Sequence, residues 1–316
     1  MKDSFSLQKM PLVSIVFTSF NHLEYLELAL NSLLDQSYTN FELIIVDDCS
    51  SDGSREYLKQ RNFDNRVSLN LLDKNTGSYV HASNFGASLA KGDFILFAQC
   101  DDFSENNQLY DLVKYIQDDP SIGVVYSSSN LVDSKGYFLS NDFFHREKSF
   151  RVSNKYDNII RGDDMFEFLT RSCVIPNLSS ALIRRSLFIS VGGLSSKYKI
   201  VADWEFWMKM SLVTNFFYVR KPLNNFRQHS TTIRSSYKSE LQFDEIFQVF
   251  RDFNFSLDKN KKYLLGYGFA ILFFRYYYLS PSFMSFFRMG KKVFNFNQYS
   301  FNCLGKALFF VIKEKL

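Results

Sequence analysis

Residues 41–54 read FELIIVDDCSSDGS: an apolar run, two carboxylates, then a polar turn. Phe41–Val46 is continuous Phe/Leu/Ile/Val rather than an alternation, the pattern of a strand covered on both faces in a parallel sheet. Asp47 and Asp48 follow at its carboxyl end. Ser51, Asp52 and Gly53 have turn chemistry, with Ser or Asp available to cap the next helix. Outward from this block the same unit repeats. Val13–Phe17 precedes a helical stretch Leu23–Leu34, and Ser54–Arg61 follows the quoted strand. Val67–Leu72 precedes His81–Ala90, and Phe94–Phe97 precedes Gln108–Gln117. Strand–helix alternation of this kind predicts an α/β fold, a doubly wound sheet. After Gly123–Tyr126 the pattern loosens through Lys155. It resumes with a helix near Asp164–Leu169, an apolar run Ser180–Ile183 and a helix over about Asp203–Leu212.

Acidic residues recur where apolar runs end. Asp101 and Asp102 close FILFAQC, and Asp203 and Glu205 lie in VADWEFW. In an open α/β sheet the carboxyl ends of neighbouring strands border one crevice. Carboxylates gathered there can hold a divalent cation, read a base or accept a proton. One placed like Asp48 can accept the N3–H of uracil and reject cytosine, which presents an acceptor at that position. Adjacent Asp101 and Asp102 would repel unless a cation or a hydrogen-bond network lies between them, and a hard cation, Mg²⁺ or Mn²⁺, suits such oxygens. It would bridge the two phosphates of a nucleotide sugar. The plain alternatives are a helix-capping Asp at the first cluster and a solvated loop at the second.

The 316 residues allow one large or two small domains, and 46% hydrophobic residues can fill a core. The opening MKDSFSLQKM lacks an apolar targeting region and no charge-free run of about 18 apolar residues follows, which leads to an expectation of a cytoplasmic protein. Cys49, Cys100, Cys173 and Cys303 are scattered, as reduced, buried thiols would be. Charge is uneven. Arg251–Leu316 carries a net +8 against −4 for the remainder, and 19 of the 56 aromatics, so a boundary near residue 240 divides a body from a basic, aromatic tail.

Four segments in order resemble the inverting, metal-dependent family 2 glycosyltransferases of the GT-A fold. They are PLVSIVFTSFN, LLDQSYTNFELIIVDDCSSDGS, NTGSYVHASNFGASLAKGDFILF leading into CDD, and VGGLSSKYKIVADWEFWMKM followed by FRQH. The resemblance covers about residues 11–235. It implies a catalytic domain over 1–240, with a nucleotide-binding half at about 11–128 and an acceptor-side half at about 129–240. It also implies that Thr18 and Phe20 line the base, that Asp48 more than Asp47 pairs with it, and that Asp101 sits by the ribose and metal. Asp102 would be the direct metal ligand and Asp203 the catalytic base. Many members have an acidic residue where this chain has Gln99, a departure that weakens the metal motif without removing it.

Around Asp203, an inverting transfer needs a base opposite the leaving diphosphate, and a helix N-terminus favours an ionised carboxylate there. Trp204 and Trp207 flank Glu205; they can stack a sugar ring while Glu205 bonds its hydroxyls, or simply pack a helix around a Glu–cation pair. His229 in FRQH resembles the family's Arg-x-His ending and would touch metal or diphosphate, with Arg227 and Arg234 supplying nearby charge. Asn75–Ser78, NTGS, is a turn that either lets backbone approach the nucleotide or does no more than turn.

In the tail, YLLGYGFAILFFRYYYL (263–279) would span only about 26 Å as a helix, and Arg275 at a bilayer centre would cost roughly 2.5–3.5 kcal/mol, so it reads as non-spanning. Phe283, Phe286, Phe287 and Phe294 beside Arg288, Lys291 and Lys292 form a basic amphipathic pattern. It leads to an expectation of peripheral membrane contact, against the alternative of a helical hairpin packed on the body; self-association is a further use for such a surface. No nucleic-acid module accompanies the basic residues.

The expected activity is transfer of a sugar from a nucleotide-diphosphate donor, UDP-linked, to a hydroxyl of a glycan or lipid-linked oligosaccharide, with inversion at C1, in surface polysaccharide assembly. A nucleotidyltransferase would need a basic, glycine-rich triphosphate loop that FTSFNHLEY lacks. The rival from another class is a non-catalytic nucleotide- or glycan-binding protein that retains the fold.

Overall fold

The computed structural model describes residues 10–142, 156–229, 239–279 and 283–315. The first half alternates as its apolar runs dictate: β1 (Val13–Ser19), α1 (Leu23–Leu34), β2 (Phe41–Asp47), α2 (Ser54–Gln60), β3 (Val67–Leu71), α3 (Tyr79–Leu89), β4 (Phe94–Gln99), β5 (Phe103–Ser104) and α4 (Gln108–Ile116). Then come β6 (Ile122–Val132), β7 (Phe138–Asn141), β8 (Asn158–Ile160), α5 (Gly162–Arg171), β9 (Ala181–Arg184), α6 (Arg185–Ser190), α7 (Ala202–Ser211) and β10 (Asn215–Arg227). Among the described residues five helices follow: α8 (Ser239–Asn254), α9 (Lys259–Leu279), α10 (Phe283–Phe296), α11 (Gln298–Asn302) and α12 (Leu304–Lys315).

The strands form one ten-stranded mixed sheet in the order β3-β2-β1-β4-β9-β6-β10-β5, with β7 on β6 and β8 on β10. From β3 to β4 all pairs are parallel, and β9 enters antiparallel between β4 and β6. In register, Ser19 pairs with Asp47 and Thr18 with both Val46 and Gln99, so β1, β2 and β4 end at one level. The residues just beyond those ends therefore meet at one rim.

Period-2 alternation sends each strand's side chains to two cores. Ile15, Phe17, Leu43, Ile45 and Leu96 pack on Leu26 and Leu30 of α1. Val16, Ile44, Val46, Ile95 and Phe97 face the other way, toward Val80 and Ala87 of α3. Gly86 lets α3 lie close, because a Cβ there would stand 2.4 Å from Val16 Cγ1.

The second core does not stop at the sheet. It runs through Trp204, Phe206 and Trp207 into Phe243 and Phe250 of α8, Phe269 of α9 and Met289 and Val293 of α10. Much of the 263–276 run is consequently spent on protein contacts: Leu265, Phe269, Ala270 and Ile271 are fully buried, and Arg275 donates to the Arg171 carbonyl at 2.6 Å. Each large side chain so buried contributes about 1.5–3 kcal/mol of transfer free energy. Among the described residues no helix is long and apolar enough to cross a membrane. The side chains of Phe283, Phe286, Phe287, Arg288 and Phe294, and all of Arg234, lie outside the described residues.

Candidate active site

The rim formed by β1, β2 and β4 opens into a cleft of about 490 Å³ whose lining includes Thr18, Phe20, Asp48, Asp101 and Asp203. Three of these follow from strand ends: Thr18 from β1, Asp48 just past β2, Asp101 two residues past β4. Asp203 comes from the first turn of α7, 8% exposed, with its Oδ1 accepting the Trp204 backbone N–H at 2.8 Å. Backbone strain gathers at the same rim, since Asn21 and Cys49 hold φ of 52° and 63°.

The two carboxylates after β2 part company. Asp47 is fully buried and organises the turn, accepting from Ser50 N at 3.0 Å and Ser50 Oγ at 2.6 Å. Asp48 turns to the cleft. Its oxygens accept from Thr76 N and Thr76 Oγ1, both at 2.9 Å, and from Asn75 Nδ2 at 3.3 Å. Burial pushes its pKa up, and the Thr76 hydrogen bonds work in the opposite direction. The NTGS turn, with Gly77 at φ +72°, thus holds Asp48 in place as well as bringing Gly77 and Ser78 to the cleft. Asp52 serves two helix starts: its Oδ1 accepts Ser54 N at 3.0 Å, at the start of α2, and its Oδ2 accepts Leu23 N at 2.9 Å, at the start of α1, where His22 offers no side-chain cap.

The pair after β4 also divides, and against expectation. Asp102 faces inward, 4% exposed, and its oxygens accept from Ser179 Oγ at 3.0 Å, Arg227 N at 3.1 Å and Asn177 Nδ2 at 3.2 Å. Burial, and then the charge of Asp101, hold its pKa well above the ordinary carboxylate range. A carboxyl so enclosed is a poor direct metal ligand, and the cleft-facing oxygen belongs to Asp101. Asp101 Oδ2 stands 3.1 Å from His229 Nε2. His22 joins them, and ligand atoms of His22, Asp101 and His229 all lie within 4.8 Å of one another. That is a fit for a divalent cation. One carboxylate and two imidazoles make a mixed oxygen and nitrogen shell. His22 carried no sequence signal beyond being a lone histidine after β1.

Arg227 does not supply charge to the cleft. It is 2% exposed, its guanidinium lies 4.3 Å from the Tyr25 ring centroid, and it donates to the Asp101 carbonyl at 2.7 Å and the Ser134 carbonyl at 2.9 Å. It fastens β10 to the Asp101 segment. Trp204 and Glu205 likewise point away from the cleft. The Trp204 indole donates to the Leu169 carbonyl at 2.7 Å and meets Phe250 edge-on, while Trp207 is fully buried. Glu205 pairs with Lys209 at 2.9 Å, one turn along α7. Neither side chain lines the cleft, to which α7 contributes Asp203. All four cysteines are free, and Cys100 lies in the cleft wall with Sγ 3.7 Å from His22 Nδ1.

A GT-A type α/β fold with a carboxylate-lined crevice at its strand ends is the frame of a nucleotide-sugar transferase. The family model of Glycosyl transferase family 2 matches residues 14–191, more than half of the chain, and the chain belongs to that family. It is 33% identical over 153 residues to TuaG of Bacillus subtilis (strain 168), which carries the name of a teichuronic acid biosynthesis glycosyltransferase; this covers 48% of the present chain and 60% of TuaG. It is 24% identical over 219 residues to chondroitin synthase of Pasteurella multocida, covering 68% of this chain and 20% of that enzyme. Among solved structures, residues 1–349 of S. aureus TarS in complex with UDP-GlcNAc superpose with a TM-score of 0.71 at 19% identity, covering 96% of this chain and 89% of that one. At that identity the likeness is one of fold.

Proposed function

We propose that this chain transfers a sugar from a UDP-linked donor to a hydroxyl of a glycan or lipid-linked acceptor, with inversion at C1, in surface polysaccharide assembly. The observation that carries the reading is the single cleft shared by Thr18, Phe20, Asp48, Asp101 and Asp203, which come from four separate segments. The UDP-GlcNAc complex of TarS and the names of TuaG and chondroitin synthase support the donor class and the polymer product. In this reading Thr18 and Phe20 flank the base. Asp48, held by Thr76, keeps an acceptor lone pair for the uracil N3–H. Asp101, His229 and His22 would hold the cation. When bound, that cation supplies positive charge to the departing diphosphate.

Asp203 acts on the acceptor side. Its carboxylate takes the hydroxyl proton as the oxygen attacks C1 in line with the leaving group, and its place at a helix N-terminus favours the charged form that accepts a proton. Donor hydrolysis and transfer with Mn²⁺, compared between wild type and Asp203→Asn, test this. Turnover should fall about 10²- to 10⁴-fold with nucleotide binding retained. Nucleotide binding without turnover in either protein would favour a binding protein that retains the fold.

The same reading assigns the C-terminal end a peripheral contact with the inner face of an anionic membrane. Phe309 is 68% and Ile312 43% exposed on α12, beside Lys306 and Lys313, the mix of apolar and cationic groups that suits a lipid surface.

A further inference from the structure

The loop that delivers Asp203 is anchored by a residue 42 positions away. Lys199, Ile200 and Val201 run directly into α7, and Lys199 and Ile200 line the cleft together with Asp203. Val201, at the helix N-cap, has no side chain able to satisfy the free N–H groups there. Glu245 of α8 takes the Val201 amide from outside, together with those of the two residues before it. Its Oε1 accepts Lys199 N at 2.9 Å, and its Oε2 accepts Ile200 N at 2.9 Å and Val201 N at 3.2 Å. Three consecutive amides thus converge on one carboxylate beside a helix N-terminus.

A second clamp stands two turns along the same face of α8. Asp252 accepts from Tyr198 Oη at 3.0 Å, pairs with the Lys197 ammonium, and takes a further bond from Gln248 at 2.9 Å. Glu245, Gln248 and Asp252 recur at i, i+3 and i+7, one stripe of the helix. The whole 197–201 segment is therefore held by α8, which is itself fixed through Phe250 against Trp204.

We propose that Glu245 is a positioning residue for the transfer reaction: by capping the 199–201 backbone it fixes Asp203 and Lys199 relative to the cleft. The consequence for function rests on Asp203 being the base; the capping itself does not. The C-terminal helices then act as part of the catalytic frame. Misplacing a reacting group by about 1 Å can cost on the order of 10²-fold in rate. Donor affinity should be spared, because Thr18, Phe20 and Asp48 lie across the cleft on other elements.

The test is to compare wild type, Glu245→Ala and Glu245→Gln by amide hydrogen exchange and by steady-state kinetics, with thermal unfolding as a control on folding. Glu245→Ala should speed exchange at residues 199–201 by at least about 10-fold and lower kcat by about 10- to 100-fold, with donor KM within about twofold. Glu245→Gln keeps one acceptor oxygen and should fall between the two on both measures. If Glu245→Ala fails to fold, Glu245→Gln decides alone: wild-type exchange at all three amides overturns the proposal. So does an unchanged kcat, or a raised donor KM with kcat intact, in either folded variant. If the amides deprotect while Asp203→Asn proves fully active, the cap stands and the assignment of the base falls.

Discussion

At the scale of single residues, the carboxylates divide by which of them line the cleft. Asp47 and Asp102 are enclosed by hydroxyls and backbone N–H groups, while Asp48 and Asp101 keep oxygens toward the cleft. Adjacency alone does not tell the members of a pair apart, and one residue of strand phase separates them. Glu205 shows the cost of being enclosed with a single partner. Its Oε2 is buried without a hydrogen-bond partner, and burial raises its pKa although Lys209 works to lower it. A carboxyl whose folded pKa lies above its unfolded value binds more protons when folded, so its contribution is fully present below about pH 4.3 and is lost as pH rises through the folded pKa. Glu205→Gln should therefore be at least as stable as the wild type at pH 7, with the gap closing toward pH 4; urea unfolding at both pH values checks it. Because Glu205 lies outside the cleft, kcat of that variant should stay within about twofold.

At the scale of elements, close approach decides where helices can sit. Gly268 on α9 faces α5 so tightly that a Cβ would stand 2.2 Å from the Thr170 carbonyl oxygen, a backbone atom that cannot swing aside. In an exposed helix, glycine to alanine stabilises by about 0.5–1 kcal/mol. Here overpacking should win, at about 1–3 kcal/mol. Gly268→Ala is expected to lower the unfolding free energy by the difference between the two, and with it the denaturation midpoint, with no change in nucleotide affinity, as chemical unfolding and a donor titration would show. An unchanged or raised midpoint would mean that α9 moves freely on α5. Most elements were legible, but the second half of β6, and β7 and β8, were not read from the polar stretch that holds them. The strand and helix limits read from apolar runs agree with the observed ones to within a few residues, because burial on both faces of a parallel strand leaves a local signature. The tail was legible only as apolar and aromatic. Whether such a surface meets lipid or protein depends on what packs against it, and most of the 263–279 run meets protein.

At the scale of the whole molecule, the acidic body and the basic C-terminal end make orientation at a membrane a measurable property. Vesicles carrying anionic lipid should sediment with the intact chain at low salt, and the double charge reversal Lys306→Glu, Lys313→Glu should reduce this severalfold with turnover on a soluble acceptor preserved. Equal binding to neutral vesicles, or no loss in the double variant, would remove α12 from that role. The amino-acid sequence by itself determined the α/β alternation, the family, and the fact that Asp48 and Asp101 stand at strand ends and Asp203 at a helix start. Those properties are set by local periodicity and by which residues must be buried. The tertiary structure alone decided that Asp102 turns inward, that His22 joins Asp101 and His229, that Trp204 packs in the core, and that Glu245 caps the loop before Asp203. Each of these depends on a partner brought from a distant part of the chain by sheet register and helix packing, and no local pattern encodes such a meeting.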